Sequence, residues 1–395
     1  MATLLLAIIY LAFISLGLPD SLLGSAWPEM HQVLGVELSA MGIVTTLIAV
    51  GTVLSSLFSD TLSRRFSTRL VVTVSVGLTA MGLIGFSFAP TFLVLCLFAI
   101  PYGLGAGSID AALNNYVALH YNSRHMSWLH CFWGVGTVIS PYVMSYALGS
   151  GLGWAGGYRI VGGMQTVILV ILIATLPVWK KAGHTAAASP TDATAPQRSA
   201  GIIGSLKIRG VPYVLLGFLG YCAAESTVMV WASTYFFEAK STTEELAAAL
   251  GSLFFIGMTV GRFFAGFVSN TVGDKNMIRI GLAISSVGVI IIAIPAGLPF
   301  AIVGFLLIGL GFAPIYPSII HSTPKSFGEE NSQAIIGIQM AAAYIGATLA
   351  PPIFGLIANY VEVRLLPLYL AAFMIMSLVM LELLNKQTKE KSAQM

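Results

Sequence analysis

Three glycines at spacing two, Gly103, Gly105 and Gly107, precede Asp110, Asn114 and Asn115 inside an apolar run, residues 89–119, that holds no Lys, Arg or Glu. Small residues let a neighbouring helix approach closely. An aspartate at the centre of a membrane helix costs roughly 2.5–3.5 kcal/mol on insertion scales, so it is expected to face a cavity or a partner. Asp110 and Asn114 lie four apart and share one helix face. A carboxylate taken out of water holds its proton more readily, which brings uptake and release within reach of ordinary pH. That face is the expected place for handling a proton and a polar solute. The alternative is an aspartate that only bonds between helices.

Three further charged residues fall inside apolar runs: Asp20, Glu225 and Arg262. Ser226 and Thr227 adjoin Glu225, and Trp231 follows it on the same run. An aromatic face beside a carboxylate suits a sugar, whose CH groups stack on the ring while its hydroxyls donate to the acid. The same pair suits an amine through charge and cation–π contact. A structural reading also fits: Glu225 as the buried ion partner of Arg262. Asp20, followed by Trp27, gives the first span a matching site, for solute or as a second titrating group, and Glu225 is a third candidate for carrying the proton. Asn114, Asn115, Gln165 and Gln339 are uncharged candidates for sugar hydroxyls, and membrane amides serve equally as glue between helices. His130 titrates near neutrality in water, and beside aromatic residues it reads more simply as packing. Arg262 is expected to act at a hinge or gate.

These side chains need spans to carry them. The chain of 395 residues is 57% hydrophobic and only 9% charged, against about 25% charged in soluble domains. At about 20 residues per crossing, twelve helices are expected near 3–28, 39–58, 69–88, 91–119, 127–149, 157–179, 211–237, 247–269, 277–296, 299–321, 331–358 and 363–384. Strict alternation, the mark of a membrane β-barrel, is absent. Of the 19 Lys and Arg residues, Arg262 is inside a span and three, Arg159, Lys240 and Arg364, fall in odd-numbered loops. The remaining fifteen fall in even-numbered loops, the middle linker and the C-terminal tail. By the positive-inside rule both termini are cytoplasmic, so the net charge of +3 reflects topology, with no nucleic-acid partner implied. Cys96, Cys131 and Cys222 all fall in spans, which argues against a disulfide framework. The first span lacks a basic n-region and carries Asp20, so it reads as a mature helix.

The composition turns to Ala, Thr, Ser and Pro after Trp179, as a flexible linker does. The expected organisation is therefore a six-helix bundle over 1–180, a cytoplasmic linker over 181–210, a second bundle over 211–385 and a tail over 386–395. The halves repeat. Gly51–Asp60 aligns without gaps on Gly261–Asn270, Gly103-Leu-Gly105 matches Gly309-Leu-Gly311, and Gly136 to Pro141 matches Gly346 to Pro351. Asp20-Ser21 falls opposite Glu225-Ser226. Gly136 with Pro141, and Gly346 with Pro351, would bend the fifth and eleventh helices for rocking or let them pack closely.

Six plus six spans in parallel repeats resembles the major facilitator superfamily. Phe58-Ser-Asp-Thr-Leu-Ser-Arg-Arg-Phe-Ser-Thr-Arg69 resembles its second-to-third-span loop signature, without the usual glycine before the arginine pair. The resemblance implies a latch between the halves at Asp60, Arg64 and Arg65; a topogenic charge cluster is the alternative. Gly105-Ala-Gly-Ser-Ile-Asp-Ala-Ala-Leu-Asn-Asn-Tyr116 resembles the fourth helix of the fucose permease and glucose/mannose–proton symporter group, with Asp110 at the position of its Glu. Leu129–Pro141, Ala223–Ser226 and Gly261-Arg262 with Gly266 resemble its fifth, seventh and eighth helices. Asp20 lies further from Pro28 than that group's first-helix aspartate does from its proline, so no coupling role follows from the resemblance there. The expected protein is an all-α polytopic membrane transporter of major facilitator fold that moves a monosaccharide by proton symport in a bacterial inner membrane. It needs no cofactor or metal and works as a monomer in lipid. An exporter of drugs or metabolites is the alternative, a non-transporting receptor a third reading. No nucleotide loop, nucleophile elbow or zinc motif appears, so an enzyme is not expected.

Overall fold

Backbone amides in hydrocarbon have no water to bond, so a long apolar segment must satisfy them within itself as a helix. A computed structural model describes residues 2–37, 40–186, 201–242, 244–295 and 297–393. Among these, twelve helices are long and apolar enough to cross a membrane. They are α1 (Thr3–Trp27), α2 (Met41–Phe66), α3 (Thr68–Ser87), α4 (Phe92–His120), α5 (Ser123–Gly149) and α6 (Gly153–Trp179) in the first half. The second half supplies α7 (Val211–Ala239), α8 (Leu250–Val272), α9 (Asp274–Ala293), α10 (Leu298–His321), α11 (Glu329–Tyr360) and α12 (Val363–Gln387). No strand occurs among the described residues.

Two spans are interrupted, in each case beside a proline that cannot donate to the helix ladder. α1 lapses at Ser21, between Ala2–Asp20 and Leu22–Val33, just after Pro19. α10 lapses between Leu298–Phe312 and Ile315–His321, at Ala313 and Pro314. The helix begun at Gly153 runs on to Ala186, and Gly201–Lys207 is a further short helix. Composition alone places both segments largely in the linker. The first extends there because Ala and Lys are good helix formers and no proline follows Pro177 before Pro190. Residues 187–200 of the expected linker lie outside the described residues.

The chain forms two compact units, Met1–Tyr116 with Leu129–Gly201, and Val117–Trp128 with Ile202–Met395. In the first unit the glycine triplet of α4 divides its work. A Cβ at Gly103 or Gly107 would collide with the Ile48 or Thr52 carbonyl of α2, and one at Gly105 with the Ser75 carbonyl of α3. In the second unit Gly309 of α10 meets the Phe254 carbonyl of α8, and Gly311 meets Ser285 and the Gly281 carbonyl of α9. Gly136 of α5 seats on the Ile14 carbonyl of α1, and Gly346 of α11 on the Leu219 carbonyl of α7. The sequence repeat is thus a repeat of backbone contacts.

The segment Val117–Trp128 belongs to the second unit because it is bonded there. Ser123 Oγ donates to Asp274 Oδ1 at 2.6 Å, the Arg124 amide donates to Asn270 Oδ1 at 3.1 Å, and Trp128 stacks edge-on against Phe267. His321 bridges the Asp274 carboxylate, at 2.7 Å, and the Tyr121 carbonyl, at 3.1 Å. Large apolar side chains such as Phe58, Val74, Phe264 and Leu356 are about half exposed. On a soluble protein they would form a sticky patch. On this one they are the surface that lipid covers.

Candidate functional site

α4 carries the polar centre of the first unit. Asp110 and Asn114 are both buried, and the helix period stacks them as the four-residue spacing requires. Asn114 Nδ2 donates to Asp110 Oδ1 at 2.7 Å and also to the Asp110 carbonyl at 2.9 Å. Its Oδ1 lies 3.1 Å from His130 Nε2 on α5. An amide oxygen only accepts, so this arrangement needs the proton on Nε2 of the imidazole. Phe13 of α1 packs edge-on against the same ring at 5.4 Å. His130 therefore combines the packing role expected of it with a direct place in the aspartate's hydrogen-bond chain.

Asp20 closes the first segment of α1, where the helix is interrupted. Trp133 Nε1 donates to its Oδ2 at 2.8 Å, and the Tyr102 hydroxyl approaches the carboxylate. Asp110 lies close enough for the two negative charges to repel. Asp20 is accessible to solvent although protein surrounds it, the condition of a side chain that lines a recess. Tyr10 and Phe132 stack at 4.6 Å from the same two helices. Ser21 Oγ donates to the Thr137 carbonyl at 2.6 Å, and Ser140 Oγ donates to the Leu18 carbonyl. These bonds tie the interrupted backbone of α1 to α5. Broken helices at polar sites recur in secondary transporters, because the loosened backbone is tolerated only where it lines a cavity or is bonded by protein.

The second unit holds the counterpart. Arg262 Nη2 of α8 is 3.3 Å from Glu225 Oε1 of α7, and both side chains are largely buried. The ion pair is thus one of the readings open for Glu225, and it is formed here. The Tyr221 hydroxyl donates to the Phe312 carbonyl at 3.1 Å and also approaches Glu225.

The other candidates divide. Gln165 Nε2 donates to Thr79 Oγ1 at 2.7 Å and Gln339 Oε1 accepts from Thr323 at 3.0 Å, both fully buried, so each ties two elements of its own unit together. Asn115 is buried one residue beyond Asn114. Trp27 is buried against His31 and Phe92. Trp231 donates to the Pro351 carbonyl at 3.0 Å and stacks edge-on against Phe354. Asp60 and Arg64 pair with each other along α2 at 2.8 Å, and Arg65 turns over the Phe66 ring. Gly136 is the seat of α1 on α5, and Pro141 lies inside the unbroken helix Ser123–Gly149. Trp133, Tyr102 and Tyr221 were not among the residues expected from sequence. Trp133 carried one usable signal, an aromatic donor three residues before Gly136, the glycine of α5 that admits α1.

The sequence profile of the Major Facilitator Superfamily matches residues 9–242 and 214–394. The chain belongs to that superfamily and is a multi-pass membrane transporter. An uncharacterized transporter, y4wD of Sinorhizobium fredii, is 26% identical over 87% of this chain and 89% of its own length. The Escherichia coli fucose:proton symporter FucP shares the fold with a TM-score of 0.74 at 15% identity, over 95% of this chain and 98% of its own. The human organic anion transporter MFSD10 shares it with a TM-score of 0.76 at 13% identity, over 95% and 98%.

Proposed function

We propose that the chain carries a small neutral polar solute, a monosaccharide, together with a proton, by alternating access across a bacterial inner membrane with both termini cytoplasmic. The observation that carries this reading is the chain Asp110–Asn114–His130 set beside the accessible Asp20–Trp133 pair. Ionised Asp110 accepts from the Asn114 amide. Protonation turns Asp110 into a donor, and Asn114 answers by rotating its amide to present oxygen to Asp110 and nitrogen to His130. The imidazole must then accept where it had donated, so its tautomer follows the proton. One proton thus rewrites the hydrogen-bond pattern offered by α4 and α5 to whatever occupies the recess. Trp133 and Tyr102 supply ring faces for sugar CH groups, and Asp20 accepts sugar hydroxyls.

Likeness to the fucose:proton symporter supports the fold on which such a cycle runs. Export of drugs or metabolites is the second reading, and there Asp20 and Asp110 would repel an anion and admit neutral or cationic cargo. In either direction Glu225 and Arg262 hold α7 to α8, while Asp60, Arg64 and Arg65 form the charged end of α2 that a latch would use. Bending at Gly136 and Pro141 would accompany rocking. The carrier works as a monomer in the bilayer.

The test is solute-driven proton flux in proteoliposomes across hexoses, deoxyhexoses and cationic drugs. Sugar-specific proton uptake that disappears in Asp110→Asn, with counterflow exchange retained, is the expected result. Flux that answers only to drugs selects export, and coupling unchanged in Asp110→Asn overturns the assignment of the proton to that residue.

A further inference from the structure

A cavity of about 650 Å³ opens in the first unit. Leu54, Phe58, Leu62 and Phe66 of α2 line one wall and Leu70, Val74 and Leu78 of α3 the other, with Leu104 of α4 in the floor. The wall residues of α2 recur every four positions, so they form one continuous ridge, slanted to the helix axis. Phe58, Phe66, Leu70 and Val74 are between 40% and 53% exposed, so the cavity faces outward, toward lipid. Three serines join the lining, Ser55, Ser75 and Ser108; Ser55 Oγ bonds the Thr52 carbonyl and Ser108 Oγ bonds the Ser55 carbonyl.

Charge is concentrated at one end. Phe66 and Leu70 flank the sharp connection at Ser67, which carries Arg64, Arg65 and Arg69. Arg64 is paired with Asp60. Arg65 and Arg69 have no carboxylate partner among the described residues, and Arg65 rests its guanidinium on the Phe66 ring, 5.4 Å from the centroid, at the mouth of the groove. From Phe66 to Leu54 the ridge runs about 18 Å at 1.5 Å per residue. One leaflet contributes about 15 Å of hydrocarbon. The groove therefore has the length of one acyl chain in one leaflet and a pair of cations where the headgroup must lie.

We infer that the groove between α2 and α3 is a binding site for an anionic phospholipid, one acyl chain lying along the ridge from Phe66 to Leu54 and its phosphate held by Arg65 and Arg69. Juxtamembrane arginines attract anionic headgroups by about a factor of five each. An outward apolar groove alone would accept any lipid tail; the arginine pair selects the charge.

The experiment is native mass spectrometry of the detergent-purified protein with phosphatidylglycerol and phosphatidylcholine of the same chains in competition, run on wild type, Arg65→Gln/Arg69→Gln and Val74→Trp. Wild type should retain phosphatidylglycerol in preference. The arginine variant should lose roughly 30-fold of that preference. Val74→Trp, an exposed site outside the core, should lose the retained lipid while its unfolding temperature stays near wild type. Equal retention of the two lipids by wild type, an unchanged preference in the arginine variant, or a detergent-stable dimer that covers the groove would each overturn the inference.

Discussion

Replacing Glu225 by Gln is the sharpest perturbation of the second unit. Glu225 Oε1 and Arg262 Nη2 stand 3.3 Å apart, with side-chain exposures of 12% and 5%. At that separation and an effective dielectric of about 20, their attraction is about 5 kcal/mol. The net worth of the pair is smaller, since both ions left water to form it. Removing one partner is another matter, because it strands the other charge. Glu225→Gln or Arg262→Met alone should therefore cost about 3–5 kcal/mol, whereas Glu225→Gln/Arg262→Met together should cost clearly less than the sum. Reversible SDS unfolding of the purified protein in mixed micelles measures all three. Counterflow affinity, read on the same samples, separates structure from solute contact. An ion pair makes the two single variants alike in affinity and the double variant close to wild type. The reasoning fails if the costs add to within about 0.5 kcal/mol, or if Glu225→Gln alone destroys affinity while Arg262→Met leaves it intact.

Gly105→Val should destabilise by about 1–3 kcal/mol or more, because its side chain enters the Ser75 backbone; Gly134→Ala, where nothing lies within 4 Å, should be neutral or slightly stabilising in the same unfolding assay. Gln165→Leu should lower stability by about 1 kcal/mol through the lost Thr79 bond and leave transport affinity unchanged, as measured by counterflow. Trp133→Phe keeps the ring and removes the donor to Asp20, so it should raise the half-saturating sugar concentration several-fold with a smaller effect on maximal rate. Binding that requires a protonated Asp110 weakens as pH rises, so apparent sugar affinity should fall with pH in wild type, and Asp110→Asn should flatten that profile.

What sequence made legible follows from the range of the interaction. Helix spans depend on twenty-residue apolar runs, and Asp110 over Asn114 depends on a four-residue period, so both could be read from neighbours along the chain. The glycine positions were readable as contacts, because a missing side chain has few other uses in a span. Which helix each glycine admits was not, since Gly103 and Gly105 differ by two residues and face α2 and α3 respectively. His130 reaches Asn114 from the next helix, Trp133 reaches Asp20 across more than a hundred residues, and Arg262 takes Glu225 from the neighbouring span. Each of those pairings was one among several chemically acceptable choices until α1, α5, α7 and α8 were placed.

The same distinction bears on Trp27 and Trp231. A tryptophan near a carboxylate in sequence reads as a stacking platform, but six helical residues turn Trp231 to another face than Glu225, and the lapse at Ser21 separates Trp27 from Asp20. Trp27 is spent on packing against Phe92, and Trp231 on the Pro351 carbonyl. The tryptophan that does serve a carboxylate, Trp133, comes from a different helix, and it is brought there by Gly17 and Gly136, whose missing side chains let α1 and α5 touch backbone to backbone. The polar centre of the first unit is therefore a consequence of small-residue packing. A bulkier residue at Gly136 would move Trp133 away from Asp20 without altering either of them, so Gly136→Leu should weaken solute binding as Trp133→Phe does and lose stability as well, whereas Trp133→Phe should lose binding alone.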